Sequence, residues 1–346
     1  MRQERHCERR NAKGICFCVF LCLVLACVAI RATARQRIHI SSKLIAGEIL
    51  RYRVETRTTN KGTTTTPIAN PEGGSMLNLS TELVVRLDVL SAPAPGSMPG
   101  PVRLRATYEK SDAESQTDAV NPGAASPEDQ YKRIEGHAVE FTIAPGGEPS
   151  DFKGLEDLFP NPADAEPMLS WARSLFPGAG YPSRGIDIGQ KWSSEREVDG
   201  LPLSGIIWRT ESSYLRDEPC ETSSRVGAGV AASPIAPGGG ASSTQETCAV
   251  ILTQFDISRH GSSHADATPE SYRQNGMRTS GKWSGSGDSL DSISLATGLL
   301  VSSTQTSTQD MDYEIVSASS GSKVHNVAHV TTRTEITLLP SAAPKS

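Results

Sequence analysis

Apolar and polar residues alternate with a period of two through much of this chain, the pattern of a strand with one buried and one wet side. From Gly47 to Thr59, Leu50, Tyr52, Val54 and Thr56 fall on one side, and Arg51, Arg53, Glu55 and Arg57 on the other. Leu83, Val85, Leu87 and Val89 repeat the pattern within 77–90, and Val102, Leu104, Ala106 and Tyr108 do so opposite Arg103, Arg105 and Glu109. Val139, Phe141 and Ile143 lead into the turn Pro145-Gly146-Gly147. Further strands are predicted over 249–257, 299–306 and 311–316. A long one spans 324–338, where Val324, Ala328, Val330, Ile336 and Leu338 oppose His325, His329, Arg333 and Glu335. One segment changes period. Met168, Trp171, Ala172 and Leu175 recur at helical spacing between an Asp164 cap, with Pro167 in the first turn, and a Pro177-Gly178 stop, which predicts an amphipathic helix over 165–176. Residues 63–74 and 112–130 read as exposed loops, Gly285-Ser286-Gly287-Asp288 as a turn, and Val226–Ser243 as a flexible loop.

The pattern starts again after Gly189-Gln190-Lys191-Trp192. Gly205-Ile206-Ile207-Trp208-Arg209 parallels Gly47-Glu48-Ile49-Leu50-Arg51, and residues 249–257 parallel 83–90. Ile293–Gly298 likewise parallels Phe141–Gly146. The expected fold is mainly β: curved antiparallel sheets in two related halves, 35–200 and 201–346, with the one helix near 165–176. Trp171 belongs to the core on this reading, and Trp192 and Trp283 anchor the two halves.

The N-terminus adds a location. Arg2, Arg5, Arg9, Arg10 and Lys13 precede an apolar stretch from Ile15 to Ile30 and the small residues Ala32-Thr33-Ala34, an export signal with cleavage between Ala34 and Arg35. Val24-Leu25-Ala26-Cys27 offers a competing site of lipidation at Cys27, and an uncleaved anchor is a third outcome. The expected place is therefore periplasmic or extracellular, with membrane contact only through an uncleaved or lipidated N-terminus. Residues 1–34 hold six Lys/Arg and two Asp/Glu, so the remainder carries 28 basic against 37 acidic residues, net −9. With no basic run after Lys43, that charge argues against nucleic acid as a partner. Five of the seven cysteines lie in the export segment, which leaves Cys220 and Cys248 as a disulfide pair for an oxidising compartment. Asn78-Leu79-Ser80 is a glycosylation acceptor only in a host that modifies such sites.

Chemistry is sparse. No Gly-x-Ser-x-Gly elbow and no phosphate loop occurs. His260, His264 and Asp266 form the densest His/carboxylate group, in a Gly/Ser loop that places no third metal ligand. His325 and His329 share that spacing on a strand, roughly 13 Å apart, too far for one ion. Asp288 and Asp291 form a carboxylate pair only on paper, since they flank a turn. No catalytic residue, cofactor or metal site is assigned.

The Gly47-Glu48-Ile49-Leu50-Arg51-Tyr52 opening, with Leu175-Phe176-Pro177 and Gly189-Gln190-Lys191-Trp192 at the centre, resembles exported bacterial β-rich proteins of the DUF6263 type. The resemblance implies a cell-envelope location and a curved antiparallel sheet, and no catalytic residue. Three functional classes follow. The first is a non-catalytic envelope binding or scaffold protein for an apolar ligand, a lipid or another envelope protein. The second is a hydrolase using His260, His264 and Asp266, and the third an interaction module pairing through edge strands.

Overall fold

The alternating segments become eleven strands in a computed structural model. They are β1 (Ile49–Thr65), β2 (Ser75–Ser91), β3 (Val102–Thr117), β4 (Ala138–Ile143), β5 (Pro149–Lys153), β6 (Lys191–Glu197), β7 (Ile206–Pro219), β8 (Thr247–Arg259), β9 (Met277–Ser294), β10 (Leu300–Ser317) and β11 (Lys323–Leu338). Among the described residues two uninterrupted helices accompany them, α1 (Pro127–Ile134) and α2 (Glu270–Gln274). The structure describes residues 37–40, 42–65, 74–94, 98, 100–118, 126–145, 147–156, 158–159, 169, 171–172, 174–176, 181–182, 184–198, 201–220, 246–259 and 265–340. The predicted export segment with Cys27 and Ala34–Arg35, the predicted loop 226–243, and His260 and His264 lie outside them. The chain divides into two units, Met1–Ile38 and His39–Ser346, and all that follows concerns the second.

All eleven strands form one open antiparallel sheet in the order β5-β4-β3-β2-β1-β11-β10-β9-β8-β7-β6. The stretches 35–200 and 201–346 share this sheet because β1, near the chain's start, pairs with β11 at its end, from Tyr52↔Leu338 to Thr65↔His325. The two longest-separated strands are thus central neighbours. The edges are poor templates for a further strand. β5 is five residues long, begins with Pro149 and pairs irregularly with β4, and β6 carries Lys191, Glu195, Arg196 and Glu197 on an almost wholly exposed run.

Register sorts the side chains into two faces. The apolar face takes Leu50, Tyr52 and Val54 beside Leu87, Val85 and Leu83, and continues through Leu104, Ala106 and Tyr108 to Val139 and Phe141. These side chains are buried. Helical positions at 169, 171, 172, 174 and 175 fall within the predicted helix, and Trp171, Ala172, Leu175 and the following Phe176 are buried. Trp171 meets Tyr108 and Phe141 edge-on at 6.2 and 6.3 Å between centroids, and its indole N–H donates to the Tyr108 hydroxyl at 3.3 Å. That donor matters because an unpaired indole N–H would be costly to bury. A second cluster occupies the same face toward the other edge: Leu203, Ile206, Phe255, Ile257, Ala267 and Trp283, with Trp208, Met311 and Tyr313 packed on it. Trp192 is half-buried against Tyr181, 5.6 Å between rings.

Four local expectations are corrected. Residues 63–74 are not all loop, since β1 runs on to Thr65 and pairs there with His325 of β11. Residues 112–130 are not all loop: β3 runs to Thr117, and α1 starts after Ser126, whose hydroxyl accepts the Asp129 amide at 3.1 Å. The apolar-face positions there are Ser111, Ala113 and Ser115, so the ladder to β2 continues without the hydrophobic signal that would reveal it. Residues 299–306 and 311–316 are one strand, β10, unbroken through its polar middle. Gly285–Asp288 is no turn but the centre of β9. Gly287 sits directly across from Phe255, and a Cβ on it would run into that ring and into the Thr306 carbonyl oxygen. The glycine is a seat for an aromatic ring, which stacks on Trp208 at 4.6 Å.

Cys220 and Cys248 form a disulfide at the open end of the β7–β8 pair, where Glu218 faces Cys248 and the Cys220 amide donates to the Glu246 carbonyl at 2.8 Å. Among the described residues no helix is long and apolar enough to cross a membrane.

Candidate functional site

The opposite face of the sheet is charged, and over its central strands it is hollow. One hollow of about 490 Å³ is lined by Arg57 and Thr59 of β1, Thr331 and Arg333 of β11, Thr306 and Thr308 of β10, and Ser286 and Asp288 of β9. A second, of about 580 Å³, lies further along the same strands, among Lys61 and Thr63, Val327 and His329, Asp310 and Asp312, and Ser284 and Lys282. Alternate residues of four strands thus floor a trough that is mainly polar in its first part, while the second, which Ser75 and Met76 of β2 also line, exposes more apolar surface from Met76, Met311, Val327 and Ala328. Antiparallel pairing puts like beside like in successive rows: Glu55 faces both Glu82 and Glu335, Arg57 faces Arg333, and Thr59 faces Thr331, while Lys61 faces His329 in the next row. Directly opposed side chains have Cβ atoms about 4.5–5.5 Å apart, and like charges so placed repel.

The rows differ in how they are satisfied. Arg333 is engaged by Glu335, Nε to Oε1 at 2.9 Å, whereas Arg57 has no hydrogen bond or ion pair among the described residues. Glu82 takes Lys110 at 2.7 Å and lies 3.7 Å from Arg53. Asp288 accepts the Thr306 hydroxyl at 2.9 Å. His329 pairs with Asp310 at 2.7 Å, and His325 with Asp312 at 2.8 Å. These exposed pairs are worth little to stability, so their residues are free to trade partners.

The sequence-derived candidates are scattered. Asp288 and Asp291 do not come together, because an odd spacing on β9 puts them on opposite faces: Asp288 in the trough, Asp291 on the apolar side across from Ile251 and Ser303. Burial pushes the Asp291 carboxyl up, only partly offset by hydrogen bonds from Ser303 at 2.6 Å and Ser289 at 3.3 Å. Asp266 is committed locally. It accepts the Thr268 hydroxyl and, at 3.0 Å, the Thr268 amide, which together hold its carboxyl below the usual range. His325 and His329 each hold a separate aspartate. Among the described residues no three His, Cys, Asp or Glu side chains gather as a ligand set.

No family model matches the sequence, and no curated protein matches it. Among solved structures, one described as "Lipid-protein interactions in lipovitellin" is similar over 87% of this chain and 26% of that one, at 14% identity and a TM-score of 0.40. The chain therefore spans about a quarter of that protein's length. So slight a likeness does not carry the lipid of that description over to this chain.

The trough residues were visible in the sequence only as the wet side of two strands. Arg57 and Arg333 are far apart in the chain, and neither stands in a motif. Their juxtaposition exists only because β1 and β11 pair. A run of outward Thr and Arg on both terminal strands is the one signal that could have marked them.

Proposed function

We propose that this is a non-catalytic binding protein of the exported cell envelope, and that its ligand lies in the polar trough across β9, β10, β11 and β1. The observation that carries the reading is the succession of two hollows over neighbouring rows of one face, floored chiefly by four central strands of an antiparallel sheet. Threonine and serine hydroxyls interleaved with Arg57, Arg333, Lys61, Lys282, Asp288 and Asp310 suit a hydroxyl-bearing, charged small molecule. A rigid floor lowers the cost of ordering the site when the ligand arrives. Export is supported by the basic–apolar–small pattern of residues 1–34 and by the disulfide, whose chemistry suits an oxidising compartment.

A thermal-shift panel of acidic and neutral oligosaccharides, sugar phosphates and small carboxylates tests the reading. A ligand at a hundred times its Kd stabilises the native state by about 2.7 kcal/mol. At least one compound should raise Tm, and Thr331→Trp, which fills the trough floor, should abolish the shift. Shifts of equal size in Thr331→Trp, or none in either protein, would exclude the trough.

A lipid or other apolar ligand is the second reading, favoured by one feature. Leu77 and Leu79 extend the apolar face beyond its packed part and are only half-buried, with Val330 and Ala328 beyond them on the same face. Organic extraction of protein purified from an envelope fraction, followed by mass spectrometry, should then recover a stoichiometric lipid. An empty extract removes this reading.

A further inference from the structure

We infer that Arg57 and Arg333 form an oxyanion site, which takes a phosphate or carboxylate group of the ligand. The inference rests on the trough reading and names the chemistry of one end of it. The two guanidinium-bearing residues are direct partners across β1 and β11. Each exposed arginine raises the local potential at the other, an arrangement that costs stability in the empty protein. The ordinary remedy is a carboxylate between them, and it is only half present. Glu335 occupies Arg333, while Arg57 has no partner among the described residues although Glu55 stands two positions away on the same face.

The surroundings fit an oxyanion. Thr59, Thr331, Thr306 and Thr308 line the same hollow. The hydroxyls of Thr59, Thr331 and Thr308 can donate, while that of Thr306 is given to Asp288, and threonine adds no charge that would compete. Arginine offers a planar fork of donors matched to carboxylate and phosphate oxygens, so two opposed forks can grip one group from two sides. The chain as a whole is acidic, net −5, so this basic pair stands out locally against the general field. Asp288, at the far side of the hollow, is occupied by the Thr306 hydroxyl and sets the limit of the anionic part of the ligand. Two rows further along the strands the floor carries Lys61, His329, Asp310 and Ser284, where the remainder of the ligand would meet charges of both signs.

The test uses the whole chain and two probes, inorganic phosphate and a sugar phosphate, titrated by isothermal calorimetry at low and at 0.5 M salt. Binding should be saturable and weaken at high salt, because exposed charges are screened. Arg57→Gln and Arg333→Gln should each weaken it at least tenfold. Arg57→Lys, which keeps the charge but loses the fork, should fall between them and the parent chain. Lys191→Gln, on the remote edge strand, should change nothing. Circular dichroism of each variant shows whether it is folded, and Arg57→Lys stands as the second variant if Arg57→Gln is not. Phosphate binding that survives Arg57→Gln, or no saturable binding of either probe, overturns the oxyanion site. If a neutral oligosaccharide still binds and Thr331→Trp blocks it, the trough reading stands while the oxyanion site falls. If Thr331→Trp leaves phosphate binding intact, both fall together.

Discussion

Breaking the Cys220–Cys248 disulfide should cost this fold a large and calculable share of its stability. Cys220 and Cys248 are 28 residues apart in sequence, and the link closes the mouth of the β7–β8 pair. In the chain-entropy account, a loop of that length stabilises the folded state by about 3.5 kcal/mol, by restricting the unfolded chain. For a domain of this size that corresponds to a fall in Tm of roughly 5–10 °C. Burial adds a kinetic signature. Cys220 is 5% and Cys248 0% exposed, so a reductant reaches the bond only when the β7–β8 end opens. Native protein in dithiothreitol should therefore keep its disulfide far longer than protein in a denaturant near its midpoint. The assay is urea unfolding followed by tryptophan fluorescence for three samples: oxidised parent, parent reduced while unfolded and then refolded, and Cys220→Ala/Cys248→Ala. The reduced parent separates the crosslink from the small cavity that the double variant adds. Reduced parent and double variant should shift together to lower urea by a matching free energy. Superimposable curves for oxidised and reduced parent would refute the reasoning, since they would mean that the link constrains nothing in the unfolded state.

Three further outcomes follow from single side chains. The Asn60 side-chain oxygen is buried without a hydrogen-bond partner, and its cross-strand neighbours on the apolar face are Leu77 and Val330. Asn60→Val should therefore stabilise by about 1–3 kcal/mol, through the unmet acceptor it removes, and a drop in Tm would contradict this. Gly287→Ala should destabilise by about 1–3 kcal/mol through overpacking. In a double-mutant cycle with Phe255→Ala the second change should cost less than it does alone, because the ring the new methyl would strike is gone; strict additivity would show that ring and glycine do not compete. Asp291 carries a native pKa raised by burial, so the folded state holds its proton to higher pH than the unfolded state does. Stability from this group is present at low pH and is lost as pH rises from the ordinary carboxylate range through the raised native value. Asp291→Asn should therefore be more stable than the parent at pH 7, and the gap should close on acidification; a gap that widens at low pH would reverse the assignment.

How much of this was legible in advance depended on whether a segment's partners were apolar. β1, β2, β4 and the first part of β3 were readable because Leu50, Tyr52, Val54, Val85, Leu87 and Phe141 alternate with polar or charged residues and are buried on one face. The ends of the same strands were not readable, because after Ser111 the inward positions of β3 are small or polar and the ladder alone holds them. Gly285 and Gly287 looked like a turn because local sequence cannot show that Phe255, on the neighbouring strand, fills the space over Gly287. The disulfide pair was legible by elimination, since no other cysteine follows residue 34. The trough was hidden for the opposite reason. Its β1 and β11 residues look like ordinary solvated strand surface, Ser286 and Asp288 read as a turn, and the pairings of β1 with β11, β11 with β10 and β10 with β9 assemble them.

The central claim, that the trough over β1, β11, β10 and β9 is where this protein binds, is tested most directly by methyl NMR of the full chain. Threonine and valine methyls would be labelled and titrated with the compound giving the largest thermal shift. Thr59, Thr308, Thr331 and Val327, all on the charged face, should move in a saturable way, while Val139 and Val85 in the covered core stay still. Movement confined to Val330 and Thr332, on the apolar face, would place the ligand on the other side of the sheet and contradict the account.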